Sequence, residues 1–281
     1  MAQGNVFLGQ RTARIIIYFF LILFSAMALF PLYFSFVTGF KTTAEYNVNQ
    51  MGLPQTWTGA NWRHIIHQVG LARYLSNNAI LIPFGLVFYL AVCSAAGFAF
   101  GLLRFRGKLA IFTAVLFLMI FPQMIIAVPV YMMAVNLGLV NTFLGVILVW
   151  VAYFAPFGTY IMTTYFSSIP RSIIESARMD GANVFQILLR LMIPIALPMM
   201  AIISIIGFQA MWNELPFSLL LLQQPGMRTL TLGIALMKGE HGLPVPVLSA
   251  ALTFASIVPL LMFLFFQRHI AGGAMAGSVK Y

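Results

Sequence analysis

Few side chains in this chain could do chemistry, and their types limit what that chemistry would be. His64 and His67 have the helical spacing of a metal-binding pair, but no third ligand stands near them in the sequence. Cys93 is the only cysteine, which removes a disulfide framework. Arg106-Gly107-Lys108-Leu109 lacks both the upstream glycine spacing and the hydroxyl residue of a phosphate-binding loop, so the chain is not expected to cradle ATP. No nucleophile, base and orienting acid come together, and His241 and His269 read as interfacial rather than catalytic. Glu214 is the one acid expected at membrane depth, where a charge costs about 2.5–3.5 kcal/mol on insertion scales.

The elements that must position these residues are apolar throughout. Of 281 residues 62% are hydrophobic and 7% charged, with a mean hydropathy of +0.97, too few polar groups to cover a soluble globule and too little charge for disorder. The net charge of +10 comes from scattered single residues and small clusters, which reads as membrane topology and not as a nucleic-acid surface. Crossing the hydrocarbon core takes about 20 apolar residues. The gaps between charges then predict six helices at about 14–37, 77–103, 109–133, 142–165, 195–222 and 246–266, with a turn at 136–141. The first is too long for a signal peptide and lacks a small-residue cleavage site after it, so it is expected to be retained.

With the N-terminus inside, ten Lys and Arg residues fall on inner segments and five on outer ones, which places both termini in the cytoplasm. Ala91, Ala95 and Ala99 form a small-residue stripe beside Gly97-x-x-x-Gly101, a spacing that lets helices approach closely. Pro83, Pro122, Pro129, Pro156 and Pro259 fall inside spans, where each frees a carbonyl and permits a bend. The expected fold is an all-α integral membrane protein, one six-helix bundle over residues 1–281.

The most informative stretch lies between the fourth and fifth spans, about 166–194. Pro170 suits a first helical turn and Gly181 a left-handed stop. Asn183 can cap a second helix running through Ile187 and Leu191, which Pro194 is expected to end. Ile173, Ile174 and Ala177 share one face of the first helix. Glu175 stands four residues from Arg171 and three from Arg178, so it can meet either guanidinium.

Glu175-x-Ala177-x-x-x-Gly181, then nine residues, then Leu191-x-Ile193-Pro194, resembles the EAA loop of permease subunits in ABC importers. Ser176 replaces the second small residue of that motif, and Leu191 and Ile193 replace its Ile and Leu. Asp180-Gly181-Ala182, Trp212-Asn213-Glu214, Arg228-Thr229-Leu230-Thr231-Leu232-Gly233 and the Gly-rich tail from Gly272 to Lys280 resemble the carbohydrate-uptake, maltose-permease-like branch. The resemblance covers nearly the whole chain.

It implies a type I ABC importer permease fold with six transmembrane helices, in a prokaryotic inner membrane. It further implies a second permease, two copies of a cytoplasmic ABC ATPase that carry ATP and Mg, a solute-binding protein and a sugar as substrate, with no cofactor in this chain. Glu175, Ser176, Ala177, Asp180 and Gly181 correspond to the ATPase-coupling loop. Glu175 would supply an orienting charge, Gly181 the turn, and Asp180 either part of the coupling or a local cap.

Trp212, Asn213 and Glu214 offer an aromatic face, an amide and a carboxylate, a set that suits a sugar. Glu214 would contact substrate or the partner permease, or else pair locally at the outer interface. Gln123, Asn136 and Tyr153 are weaker candidates. The outer loops, about 38–76 and 223–245, would meet the binding protein, the second folding back on Gly226, Gly239, Gly242 and Pro244. The alternatives are an ion-coupled secondary carrier, which would need more ionisable groups within spans and an internal repeat, or an ABC permease for a non-sugar solute.

Overall fold

A computed structural model describes residues 2–276, with side chains for 14–237 and 242–266. The tail motif beyond residue 276 and the side chains of His241 and His269 lie outside the described residues. The chain runs through helices α1 (Ala2–Thr38), α2 (Thr43–Val48), α3 (Ala60–His67), α4 (Leu71–Leu102), α5 (Lys108–Phe117) and α6 (Gln123–Asn136). It continues through α7 (Phe143–Ser167), α8 (Arg171–Met179), α9 (Val184–Gln186), α10 (Ile193–Trp212), α11 (Pro216–Leu221), α12 (Leu230–His241) and α13 (Val245–Ala276). Five of the described helices are long and apolar enough to cross a membrane, and a bent pair, 108–120 with 123–136, makes a sixth crossing if it counts as one span.

That pair corrects the expected single helix at 109–133, and the bend that Pro122 permits there is realised as a full break. The axis turns by 107° between its halves. Pro122 has no N–H to continue the helix and keeps its predecessor out of the helical region, and Phe121 accordingly sits at φ −79°, ψ 118°. The predicted turn at 136–141 is present, with Gly138 and Asn141 both at positive φ.

The fifth span is also corrected. Pro194 does not end the helix that Asn183 starts. Ile187–Met192 form a π-helical stretch that leads without interruption into α10, so the wider turn precedes the residue that cannot donate an i−4 hydrogen bond. The span therefore covers 184–212, not 195–222, and α11 is a separate short helix.

Two compact units result. One comprises residues 1–70 and 237–257, the other 71–236 and 258–281. In the first, Lys41 is fully buried and donates to the carbonyls of Asn49 and Gln50 at 2.8 and 3.0 Å, beyond the last turn of α2. Asn61 donates to the carbonyls of Gly39 and Lys41, which closes the base of the 42–58 segment. Phe40 packs against both Trp57 and Trp62, with ring centroids 5.3 Å from each.

In the second unit α4 packs along α7, and α10 lies against both. Close approach depends on Gly97 and Gly101. A methyl group on Gly97 would lie 3.0 Å from the Met162 carbonyl carbon, and one on Gly101 would lie 2.9 Å from the Phe166 Cβ. The neighbouring alanine stripe does not share this contact, since Ala91 and Ala95 are exposed. Trp150 and Met162 on α7 are fully buried, as are Leu81 and Cys93 on α4.

Candidate functional site

The 168–186 segment is built by backbone chemistry that the sequence announces. Pro170 stands at the N-cap position of α8, one residue earlier than a first-turn proline, at φ −56°, ψ 130°. At the other end Gly181 has φ +81°; its N–H donates to Arg178 O and that of Ala182 to Ala177 O, both at 3.0 Å. This is the paired bonding that closes a helix through a left-handed residue, open to glycine at no steric cost. Asn183 then caps α9 reciprocally, its Oδ1 accepting from Gln186 N and its own N–H donating to Gln186 Oε1, each at 2.9 Å.

The corner so formed presents Glu175, Ser176, Asp180 and Gly181 to the exterior, with Ala177 half-buried. Ile174 anchors the inner face of α8 at 7% exposure, whereas Ile173, expected on the same face, is exposed. Met179 is 88% exposed and Phe185 76%, so two large apolar side chains flank the turn, uncovered by the described residues. Glu175 closes no ion pair within 4.0 Å with Arg171 or Arg178. All three line a cleft of 340 Å³ with Ile174 and residues 102–105 from the end of α4. Asp180 is the C-cap residue of α8. The sequence does not signal Met179 or Phe185 as surface residues, because an apolar type says nothing of which side it faces without a continuous helical period.

Trp212, Asn213 and Glu214 stay adjacent but face different surroundings. Trp212 is 5% exposed and its ring stacks on Phe208 at 5.6 Å. Asn213 is exposed, its amide donating to Gln209 O at 2.9 Å. Glu214 is 3% exposed and accepts four hydrogen bonds, from Trp150 Nε1 (2.9 Å), Phe217 N (2.6 Å), Ser218 N (3.0 Å) and Ser218 Oγ (2.7 Å). Two of these donors are the first backbone N–H groups of α11 left without a helical partner, since Pro216 has none. The carboxylate thus joins α7, the end of α10 and the start of α11. Trp150 is the residue that sequence reading missed; an indole 64 positions away gives no local signal.

Tyr153 lines an apolar cavity of 480 Å³ with Leu118, Phe121, Val130, Met133 and Phe217, in the elbow of the broken span. Gln123 begins α6 and Asn136 ends it, and neither lines this cavity. His64 and His67 share a shallow cleft with Asn61, Arg63 and Gln68. Among the described residues no group of three or more His, Cys, Asp or Glu side chains could hold a metal ion. The 223–245 segment is helical from Leu230 to His241, so the fold-back expected over its whole length is confined to its ends, with Gly242 at φ +55°.

Comparison with known proteins gives this geometry a setting. The family described as "Binding-protein-dependent transport system inner membrane component" matches residues 93–273. The "Trehalose/maltose transport system permease protein MalG" of Thermococcus litoralis is 30% identical over 95% of this chain and 97% of its own length. The "Diacetylchitobiose uptake system permease protein NgcG" of Streptomyces coelicolor is 28% identical over 92% and 87%. A chain in the crystal structure of a bacterial ABC transporter that imports the acidic polysaccharide alginate shares the fold, with a TM-score of 0.77 over 92% of this chain and 96% of that one, at 24% identity.

Proposed function

The chain belongs to the family of binding-protein-dependent transport system inner membrane components, and from that premise we propose that it is the permease subunit of an ATP-driven importer for a sugar or sugar derivative. The permeases for trehalose and maltose and for diacetylchitobiose, similar over almost all of this chain, support the substrate class. The pathway forms with a second permease. Two copies of a cytoplasmic ATPase hold ATP and Mg, and a solute-binding protein delivers sugar to the opposite face. Both termini and the α8–α9 corner face the cytoplasm, in keeping with the excess of Lys and Arg on those segments.

The observation that carries this reading is the exposed corner. A stable membrane helix pair has no need to display Met179 and Phe185 beside an exposed carboxylate, and an apolar knob next to a charge is what a groove on another protein would grip. Glu175 orients the docking, Ser176 and Ala177 permit close approach, and Gly181 holds the angle between α8 and α9, with Asp180 ending α8. Closure of the ATPase pair then shifts the permease between inward-open and outward-open states.

Within Trp212-Asn213-Glu214 we assign solute contact to the exposed Asn213. Trp212 and Glu214 hold the end of α10, because four donors already occupy the carboxylate. The test is co-purification. The tagged chain is expected to bring down an ATPase and a second permease, and Glu175→Lys to weaken the ATPase association. Undiminished recovery of the ATPase with Glu175→Lys would remove Glu175 from the docking surface.

A further inference from the structure

The segment between α11 and α12 is short, holds a single 3-10 turn at Pro225–Met227, and is fastened by its backbone. Arg73 Nε donates to Gly226 O at 2.9 Å. Asn77 Nδ2 donates to Gly226 O at 3.1 Å and to Arg228 O at 2.9 Å, and Asn78 Oδ1 accepts from Leu230 N at 3.1 Å. From the α6–α7 corner, Asn141 N donates to Leu221 O at 2.7 Å, and its Oδ1 accepts from Gln224 N at 2.9 Å. Asn77 and Asn78 are 7% and 2% exposed, so these amides are buried and spend their polar atoms on a backbone about 150 positions away. What the segment leaves exposed is its edge, Gln223, Gln224 and Pro225.

These bonds have a mechanical consequence because of where α4 goes. Its 32 residues make a rod about 48 Å long at 1.5 Å per residue. Arg73, Asn77 and Asn78 stand in its first two turns. Beyond its far end, residues 102–105 share a cleft with Arg171, Ile174, Glu175 and Arg178 of α8. One continuous helix therefore has the 222–230 segment fastened at one end and the coupling corner at the other.

We propose that Arg73, Asn77 and Asn78 are positioning residues that lock residues 222–230 to α4, so that the exposed Gln223–Pro225 edge is a rigid seat for the solute-binding protein and moves with α4. The proposal rests on the importer reading given above, which supplies the binding protein. A flexible seat would order only on contact and transmit little of it; a fastened one passes displacement directly into α4.

The test uses the whole transporter in lipid nanodiscs. Cys93, the only cysteine of this chain, is buried, so Gln224→Cys carries a spin label at the one accessible thiol of this subunit, the partner subunits being used in cysteine-free form. The label is expected to be immobile in the otherwise unchanged complex and mobile once Asn77→Ala and Asn78→Ala are added. ATP hydrolysis stimulated by the loaded binding protein should fall about tenfold, on the scale of losing one or two buried hydrogen bonds, while unstimulated hydrolysis persists. Should the asparagine pair prevent assembly, Arg73→Gln changes an exposed side chain and is expected to mobilise the label and lower stimulation in the same sense.

An immobile label, or full stimulation, in an assembled variant would overturn the proposal. If no binding protein stimulates the unchanged complex, the importer reading fails instead. The label, which needs no binding protein, still decides whether the segment is fastened.

Discussion

Glu214 and Lys41 are buried side chains of charged type, and each is held by hydrogen bonds within its own chain, four to Glu214 and two from Lys41. A glutamine at 214 would turn an NH2 group toward an indole N–H, a serine hydroxyl or backbone N–H groups, leaving buried donors without acceptors. Glu214→Gln is therefore expected to cost about 1–3 kcal/mol, seen as a lower Tm of the purified chain. Trp150→Phe removes that donor and also leaves a cavity where a fully buried indole stood, so its cost is expected to be of the same order, about 1–3 kcal/mol. A normal Tm with altered sugar affinity in Glu214→Gln would return the carboxylate to the substrate.

Lys41→Met strands the carbonyls of Asn49 and Gln50 and should open residues 42–58 to limited proteolysis, with cleavage there as the readout. Neither network was legible from sequence beyond its charge. Glu214 stood out as an acid beside an apolar run, but its partners on α7 and α11 exist only once those helices pack, and Lys41 read as a topology marker.

Helices were easier to read than their breaks. Length and hydropathy locate the spans, and Gly181 and Asn183 mark the α8–α9 corner, because a left-handed stop and a reciprocal cap are local chemistry. Pro122 and Pro194 look alike in sequence, since both lack an N–H. One breaks its span by 107° after an extended Phe121, and the other is absorbed by the preceding π-helical stretch. Which outcome follows depends on packing that a sequence window does not contain.

Two substitutions test this scale. Gly97→Val must push α4 off Met162 on α7 and is expected to lower stability by about 1–3 kcal/mol, as overpacking does. Gly181→Val places a β-branched residue at φ +81°, a strain of about 1–2 kcal/mol. It should uncouple ATP hydrolysis from the binding protein at unchanged Tm of the span bundle. Intact stimulation with Gly181→Val would mean that the angle at this corner carries no signal.

For the whole molecule, energy is proposed to enter from a separate ATPase, in keeping with a sequence that holds five acids and no phosphate-binding loop. The exposed α8–α9 corner is where it enters on this account. The most direct measurement is sugar uptake into proteoliposomes that contain both permeases and the loaded binding protein, with and without the ATPase. Uptake is predicted only when the ATPase is present and ATP is available on its side, and to collapse with Glu175→Lys. Concentrative uptake by the permeases alone, driven by an ion gradient and indifferent to ATP, would contradict it.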